Sequence, residues 1–219
     1  MPDQKLFRKR LDGGMSLIPA LQHLKGQHPL ILALPRGGVV TGKAIADALH
    51  WPMDLILCKK VGHPENPEWA VGSVCADGTS ILTYKPFQNE FNFDRIAKQL
   101  HQWLKARYTQ LTGREQPISL QGKTVVLTDD GLATGSTMLA AIRSVRVSGA
   151  KRVVCAVPVS SATAAERVRK SADEFICTSI PEEFDAVGQF YSSFPEVTDT
   201  EVQSLLQEKA SVNHLNQTE

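Results

Sequence analysis

The chain has 219 residues, which is long enough to bury a full hydrophobic core within one domain. Lysine and arginine together number 24 against 23 for aspartate and glutamate, so the charge balance gives no reason to expect a nucleic acid or an anionic membrane as partner. No apolar stretch is long enough to span a bilayer, and the first residues lack the apolar core of a signal peptide, so we expect no membrane association.

The four cysteines show neither disulfide nor zinc-site spacing, because none of them forms a CxxC pair. Cys58, Cys155 and Cys177 lie inside apolar runs. Together with Cys75 they are interpreted as small buried hydrophobic residues in a reducing compartment. We therefore expect a cytoplasmic protein.

The first predicted element is a broken amphipathic helix within residues 5–25. Apolar side chains recur there at helical spacing, and Gly13–Gly14 and Pro19 are expected to mark ends or kinks. Basic residues of this segment are interpreted as a solvated face rather than an RNA-binding arm: Lys5, Arg8, Lys9 and Arg10.

Two strand–helix units are predicted next. Leu30 to Leu34 is a short apolar run with the character of a buried strand, and it ends in the loop 35–38. A helix is predicted from about Val40 to Leu49, and a strand from Met53 to Cys58 that ends in Lys59–Lys60. This alternation predicts an α/β fold with a doubly wound, mainly parallel sheet flanked by helices.

The middle of the chain is predicted to be less regular. Segments 70–74 and 80–83, around Asp77–Gly78, are expected to form a hairpin. A helix is predicted from Phe93 to about Leu111, with Asn92 or the preceding loop as its cap.

The stretch from Thr124 to Val145 carries the strongest functional pattern. Residues 124–128 predict a buried strand that runs into Asp129 and Asp130. A loop of small residues follows, and a helix is expected to begin near Thr134 or Gly135. Helix capping alone explains one acid or one hydroxyl, but it explains poorly two acids followed by Thr-Gly-Ser-Thr.

Four further elements are predicted: a strand at 152–159, a helix at 161–171, a strand at 174–178 and a helix from about 200 to 209. We expect residues 1–209 to form a single domain and residues 210–219 to be a disordered tail.

Three predicted strands end in polar loops, and right-handed connections bring such ends to one edge of the sheet. That edge would hold Arg36 and Lys59–Lys60, which suit phosphate oxygens, and Gly37–Gly38, whose N–H groups suit an anion. It would also hold the acidic pair. This composition indicates a substrate with a sugar, several phosphates and a bound divalent cation.

At this point the chain resembles a known family. VVLTDDGLATGST is similar to the phosphoribosyl-pyrophosphate (PRPP) motif of type I phosphoribosyltransferases, and LPRGG resembles their pyrophosphate loop. With KKVGHPENPEWAVGS and VGQFYSSF, the resemblance is to a poorly characterised subgroup and extends over residues 5–206. It implies the type I fold with a small hood built from residues 1–28 and part of 179–206.

The resemblance also implies an activity, namely Mg²⁺-dependent transfer of the 5-phosphoribosyl group from PRPP to a base or amine acceptor, with release of pyrophosphate. Asp129 and Asp130 would hold the ribose hydroxyls. The 5-phosphate would be bound by Gly131, Ala133, Thr134, Gly135, Ser136 and Thr137. The pyrophosphate would be bound by Pro35, Arg36, Gly37, Gly38, Lys59 and Lys60. Mg²⁺ would be held mainly through PRPP.

Ala133 is a departure from the enzymes that act on 6-oxopurines. Those enzymes resemble this loop but carry an acid at the position of Ala133, and that acid handles a proton of the purine. Hypoxanthine and guanine are therefore less expected, whereas adenine and orotate enzymes resemble the alanine form. Aromatic residues of the hood are interpreted either as stacking residues or as core: Phe184, Phe190, Tyr191 and Phe194.

Three functions stay open at this stage. The first is a phosphoribosyltransferase with a small-molecule acceptor, which is expected to need no nucleic acid and to form a homodimer. The second is a non-catalytic regulator that binds PRPP or a nucleotide on the same fold. The third is a phosphatase with Asp129 as nucleophile, which fits the hydroxyl-rich loop less well.

Overall fold

The computed structural model describes residues 5–63, 65, 70–82 and 92–207. The predicted tail at 210–219 lies outside these residues, as do the end of the predicted last helix and Thr83 of the predicted hairpin. The described residues form two β-sheets and their flanking helices.

Eight strands occur in the described residues: β1 (Leu30–Ala33), β2 (Met53–Leu55), β3 (Cys58–Gly62), β4 (Ala70–Cys75), β5 (Ser80–Leu82), β6 (Thr124–Thr128), β7 (Arg152–Val159) and β8 (Glu174–Ser179). Five of them pair in parallel in the order β2-β1-β6-β7-β8. β1 and β6 are buried along their whole length, as expected for strands covered on both faces. The predicted doubly wound, mainly parallel sheet is confirmed.

Six α-helices occur in the same residues: α1 (Arg10–Leu21), α2 (Gly37–Leu49), α3 (Phe93–Thr112), α4 (Ser136–Val147), α5 (Ala162–Arg169) and α6 (Asp199–Gln207). Leu17 of α1 and Ile45 of α2 pack in one apolar cluster with one face of the central sheet. Met138 of α4 and Ala164 of α5 pack with the other face. The sheet is therefore the middle layer of three.

The starts of two helices follow from local chemistry. The Asn92 side chain accepts a hydrogen bond from the N–H of Arg95 at 3.0 Å, so α3 begins at Phe93 as predicted. α2 begins at Gly37, earlier than the predicted start at Val40, because the loop after β1 turns directly into the helix.

The glycines and the proline of the first helix do not end it. Gly13, Gly14 and Pro19 all lie inside α1, so the expectation that they end the helix was wrong, whereas the alternative of a kink stays a prediction. A Cβ at Gly14 would lie 2.6 Å from the carbonyl oxygen of Thr41 in α2, and one at Gly13 would lie 2.8 Å from the Tyr191 hydroxyl. The two glycines therefore permit close packing of α1 against its neighbours.

The second sheet consists of β3, β4 and β5, which pair antiparallel. The predicted pairing of the segments at 70–74 and 80–83 is confirmed for their described residues. The strand predicted from Met53 to Cys58 is divided between the two sheets, since β2 ends at Leu55 and β3 begins at Cys58.

The cysteine interpretation was wrong for one pair. Cys58 and Cys75 are direct partners across β3 and β4, with their Cα atoms 4.1 Å apart, and they are joined by a disulfide. The 17 residues between them could not reveal this pairing, because the register of β3 and β4 brings the two cysteines together. Cys155 and Cys177 carry free thiols. The cysteines therefore no longer support a reducing compartment.

The order of the central strands positions the site. The chain passes from β1 to β2 on one side of the sheet and later adds β6, β7 and β8 on the other side of β1. Ligands of open α/β sheets bind outside the carboxyl ends of the strands at such a switch point. Here the switch point lies between β1 and β6.

Candidate functional site

The loop 35–38 and the acidic pair lie side by side at the switch point. Ala33 and Thr128 are register partners at the ends of β1 and β6. The N–H of Leu34 then donates to the carbonyl of Thr128 at 2.9 Å, which extends the pairing beyond the strands. Two of the predicted loops therefore leave the sheet together.

The two glycines of the loop 35–38 are in contact with the acidic pair. A Cβ at Gly37 would lie 1.9 Å from Oδ2 of Asp130, and one at Gly38 would lie 2.9 Å from Cα of Asp129. No side chain fits at either position without displacing an acidic residue. The N–H of Val39 donates to the carbonyl of Arg36 at 3.2 Å, whereas those of Gly37 and Gly38 precede the first bond within α2, which suits an anion. The peptide bond between Pro35 and Arg36 is cis.

The acidic pair is partly buried and electrostatically coupled. Oδ1 of Asp129 accepts a hydrogen bond from the N–H of Asp130 at 2.8 Å. Burial raises the pKa of the Asp129 carboxyl well above its usual range, and the charge of Asp130 raises it further. Arg10 offsets part of this shift. The site therefore resists holding two uncompensated negative charges.

Arg10 supplies the compensating charge. Its Nε donates to Oδ2 of Asp130 at 2.6 Å, and its Nη1 donates to the carbonyl of Pro195 at 2.6 Å. The guanidinium carbon lies 3.6 Å from the centre of the Phe194 ring. We call Asp129, Asp130 and Arg10 the carboxylate wall.

The interpretation of Arg10 as part of a solvated face was therefore wrong, although Arg8 near it is exposed. A signal for its burial was present in the sequence. Arg10, Gly14, Leu17 and Leu21 follow at helical spacing, and all four are buried on one face of α1.

The loop after the acidic pair leads into α4, which begins at Ser136 with Gly135 as its N-cap, close to the predicted start near Thr134 or Gly135. Gly135 precedes the helix with a φ of +69°, a conformation that glycine adopts without strain. Ala133, Thr134, Ser136 and Thr137 are exposed, so their side chains and the first-turn N–H groups of α4 can face a ligand.

Neighbouring residues hold this loop from the side of α5. The Ser161 hydroxyl donates to the carbonyl of Ala133 at 2.6 Å, and the Arg167 guanidinium donates to the carbonyl of Thr134 at 3.1 Å. Gly131 is buried instead, and a Cβ there would lie 2.6 Å from the Val187 side chain. This predicted phosphate-binding residue therefore packs against the C-terminal segment.

A cavity of about 260 Å³ lies beside the loop 35–38. It is lined by Arg36, Lys59 and Arg107, together with the exposed ring of Trp103 and with Thr137 from α4. We call Arg36, Lys59 and Arg107 the basic wall. Three cations around one cavity suit a ligand with several negative charges.

The two predicted lysines are placed differently from expectation. Both lie in β3 of the antiparallel sheet and not at the end of a central strand. Lys59 lines the cavity, and its ammonium lies 4.8 Å from the centre of the Trp103 ring. Lys60 is the next residue of β3 and does not line the cavity, because side chains alternate along a strand.

Acidic residues of the C-terminal segment pair with the basic wall. Arg36 forms an ion pair with Glu196, and its Nη1 lies 3.9 Å from Asp199. Arg107 binds both carboxylate oxygens of Asp199. These hydrogen bonds raise the pKa of Arg107 and lower that of Asp199.

Sequence reasoning missed Trp103 and Arg107 as parts of the site. The available signal was that they lie four residues apart, on one face of α3.

Two segments expected to contribute to a hood meet beside the site. The N–H groups of Leu6 and Phe7 donate to the carbonyl of Phe190, each at 3.0 Å. Phe190 and Tyr191 are buried with Phe7 in an apolar cluster, which agrees with the interpretation of these two aromatics as core. The Tyr191 hydroxyl donates to the carbonyl of Asp130 at 2.6 Å, so this cluster supports the carboxylate wall.

Within the described part of the chain, no three His, Cys, Asp or Glu side chains cluster in a way that would hold a metal ion. Within the same part, no helix is both long and apolar enough to cross a bilayer.

Comparison with known proteins identifies relatives. The model of the phosphoribosyl transferase domain family matches residues 18–193. Two Mycobacterium tuberculosis proteins, MT0597 of strain CDC 1551 and Rv0571c of strain H37Rv, are each named "Putative phosphoribosyl transferase". Each is 36% identical to the chain over 208 residues, which cover 92% of this chain and 46% of the relative. The chain thus spans about half the length of these curated relatives.

Two solved structures resemble the fold. The crystal structure of TT1426 from Thermus thermophilus has a TM-score of 0.83 and 39% sequence identity, and the match covers 91% of this chain and 97% of that one. The AQ2163 protein from Aquifex aeolicus has a TM-score of 0.50 at 13% identity, with 84% and 83% covered, and shows likeness of fold alone.

Proposed function

Because the chain belongs to the phosphoribosyl transferase family, we propose that it transfers the 5-phosphoribosyl group of PRPP to a small base or amine and releases pyrophosphate. The family carries the general class, a transferase of phosphoribosyl groups. The use of PRPP, the need for Mg²⁺ and the identity of the acceptor belong to the proposal.

The observation that carries the proposal is the contact between the loop 35–38 and the acidic pair. Gly37 has no room for a Cβ because Oδ2 of Asp130 lies against it. Hydrogen-bond acceptors for hydroxyl groups and donors for phosphates are therefore adjacent. PRPP carries two ring hydroxyls next to a pyrophosphate, and it requires this adjacency.

Each part of PRPP then has a complementary surface. Asp129 and Asp130 accept hydrogen bonds from the ribose hydroxyls. The loop 133–137 binds the 5-phosphate through hydroxyls and first-turn N–H groups of α4. The basic wall binds pyrophosphate, with Lys59 closer to it than Lys60.

The reaction breaks the bond between C1 of the ribose and the pyrophosphate oxygen and forms a bond from C1 to the acceptor. Charge builds up on the leaving group and the ring becomes cationic, as in an oxocarbenium ion. The basic wall stabilises the first charge and the carboxylate wall the second. Holding the 5-phosphate and the hydroxyls fixes the ribose for attack.

The residues present fit a divalent cation brought by the substrate. Carboxylate oxygens at Asp129 and Asp130 are ligands that Mg²⁺ accepts, but the described residues offer no three-ligand cluster. Mg²⁺ would therefore be held mainly by PRPP oxygens. When bound there, it supplies charge neutralisation for the leaving pyrophosphate.

Ala133 favours an acceptor other than hypoxanthine or guanine. It is exposed in the 5-phosphate loop, and its methyl group cannot exchange a proton with a purine nitrogen. The same observation favours a second candidate function, a regulator that binds PRPP or a nucleotide without turnover.

Calorimetry with PRPP and Mg²⁺ tests the proposal, followed by a pyrophosphate-release screen over bases, nicotinate and small amines. We expect PRPP to bind and pyrophosphate to be released in the presence of one of the acceptors. No PRPP binding at millimolar concentration would overturn both candidate functions, and binding without release for any acceptor would favour the regulator. The cytoplasmic location and the homodimer stay predictions, and light scattering tests the second.

A further inference from the structure

We propose that Arg10 is a positioning residue that fixes the Asp130 carboxylate for a ribose hydroxyl. The inference rests on the proposed function, because it concerns how the ribose of PRPP is recognised. The resemblance described above gives Arg10 no role, and its pairing with Asp130 spans 120 residues of sequence.

Three contacts fix the orientation of the Arg10 side chain. Its Nε and Nη1 donate in two directions, to Oδ2 of Asp130 and to the carbonyl of Pro195, each at 2.6 Å. The face of the guanidinium lies against the Phe194 ring at 3.6 Å. A planar guanidinium held by its edge and its face has one orientation, whereas a lysine ammonium satisfies only one of these contacts.

Asp130 also packs against the loop 35–38. The position of a Cβ on Gly37 lies 1.9 Å from Oδ2 of Asp130 and 3.0 Å from Nε of Arg10, so the hydrogen bond between these two side chains lies directly against the glycine. The backbone carbonyl of Asp130 accepts the Tyr191 hydroxyl at 2.6 Å. Oδ2 is therefore committed to Arg10, and Oδ1 remains as the acceptor for the ribose hydroxyl.

The charge of Arg10 also offsets the crowding of two carboxylates. Asp129 and Asp130 are adjacent, and the N–H of Asp130 donates to Oδ1 of Asp129 at 2.8 Å. Arg10 places its Nε 2.6 Å from Oδ2 of Asp130, so it partly compensates the negative charge beside the proposed ribose. Without Arg10, Asp130 loses the cation that holds it in this orientation.

A purely structural role for Arg10 makes a different prediction from a positioning role. If Arg10 only stabilises the fold, its loss lowers the affinity for every ligand of the site by the same factor. If it positions Asp130, its loss lowers the affinity for ligands that contain ribose and leaves the affinity of the basic wall for pyrophosphate unchanged.

The experiment compares Arg10→Met and Arg10→Lys with the unsubstituted protein by calorimetry, using PRPP with Mg²⁺ and pyrophosphate with Mg²⁺. Arg8→Met is the matched control, because its side chain is 88% exposed two residues away. We expect Arg10→Met to lower the affinity for PRPP by about tenfold or more, which corresponds to the loss of one charged hydrogen bond. Its affinity for pyrophosphate should fall by less than about twofold. The PRPP affinity of Arg10→Lys should lie between those of Arg10→Met and the unsubstituted protein.

Unchanged PRPP affinity in both Arg10 variants would overturn the inference, as would equal weakening of PRPP and pyrophosphate. If Arg10→Met does not fold, Arg10→Lys carries the test by the same ratio of the two affinities. Failure of the unsubstituted protein to bind PRPP would overturn the proposed function, and this inference with it. The two failures are therefore distinguishable.

Discussion

The carboxylate wall and the basic wall face the same proposed ligand but are built in opposite ways. In the carboxylate wall, the paired side chains of Arg10 and Asp130 are only 9% and 14% exposed. In the basic wall, the paired side chains of Arg36 and Glu196 are 41% and 75% exposed. One wall is preorganised by buried contacts, and the other is held by ion pairs in contact with solvent.

The difference follows from the chemistry of the two ends of the ligand. A ribose hydroxyl is neutral and forms modest hydrogen bonds, so its acceptor must be fixed before binding. Pyrophosphate is highly charged and attracts guanidinium groups at a distance, so those groups can exchange acidic partners for the ligand. Substitutions in the carboxylate wall should therefore change PRPP affinity more than substitutions in the basic wall.

The substitution Gly37→Ala should have the largest effect. Its methyl group would lie 1.9 Å from Oδ2 of Asp130, so either the carboxylate or the start of α2 must move. We expect PRPP affinity to fall by about 100-fold, the value of two or three kcal/mol of lost contacts. Calorimetry with PRPP and Mg²⁺ measures it.

Gly26→Ala is the control for this change. Gly26 has a φ of +88° and nothing within 4 Å of a built Cβ, so alanine there costs about 1 kcal/mol of strain without touching the site. Its PRPP affinity should be unchanged. Native-like PRPP binding by Gly37→Ala would show that the carboxylate wall tolerates displacement.

The substitution Asp129→Asn should weaken PRPP by about tenfold, because an amide is a weaker acceptor for a ribose hydroxyl than a carboxylate. It should also stabilise the fold at neutral pH. Burial and the charge of Asp130 raise the pKa of Asp129, so its ionisation costs folding free energy. The asparagine can still accept the N–H of Asp130.

The pH dependence gives the sign of this effect. For a carboxyl whose pKa is raised by folding, the stability present at low pH is lost as pH rises from the unfolded pKa of about 4 up to the folded value. Urea unfolding at a series of pH values measures the free energy of unfolding. The value for Asp129→Asn, relative to that of the unsubstituted protein, should increase as pH rises across that window. A variant that is less stable at neutral pH would contradict the cause assigned to the shift.

The substitution Glu196→Gln should have a small effect of opposite sign. It removes the shorter of the two ion pairs of Arg36, so pyrophosphate competes with one acidic neighbour fewer. We expect pyrophosphate and PRPP to bind about twofold more tightly at low salt, and the gain to fade at high salt. Glu166→Gln, which breaks the exposed pair with Lys170 on α5, is the control and should change neither affinity.

Reduction of the Cys58–Cys75 disulfide should change PRPP affinity least, by less than about twofold, since Lys59 keeps its place through the pairing of β3 with β4. Stability should fall by about 3 kcal/mol, as estimated for a loop of this size. Thiol titration should count two thiols before reduction and four after it. Four thiols at the start would contradict the disulfide.

Local patterns predicted the elements that build the site. The strands at 124–128 and 152–159 have the predicted bounds, because continuous apolar runs of that length are typical of buried parallel strands. The meeting of the loop 35–38 with Asp129–Asp130 followed from the rule on the carboxyl ends of parallel strands. The roles of these residues stay predictions.

The features that sequence reasoning missed all depend on contacts between distant segments. The pairing of Cys58 with Cys75 depends on the register of β3 and β4, and the burial of Arg10 depends on Asp130. Arg107 joins the basic wall through Asp199, 92 residues away. Residue spacing within one element can indicate a buried face, as it does for Arg10, but it contains no information on which distant residue contacts that face.

The contact between Arg10 and Pro195 has a consequence for how the protein becomes competent during synthesis. The two residues are 185 positions apart, so on the ribosome Arg10 emerges long before its partner. Until Pro195 has been synthesised, the Arg10 side chain lacks one of the contacts that orient it toward Asp130. Affinity for a ribose-containing ligand should therefore arise only after this segment has emerged, and a nascent chain halted before Phe194 should bind PRPP more weakly than a chain that includes Pro195.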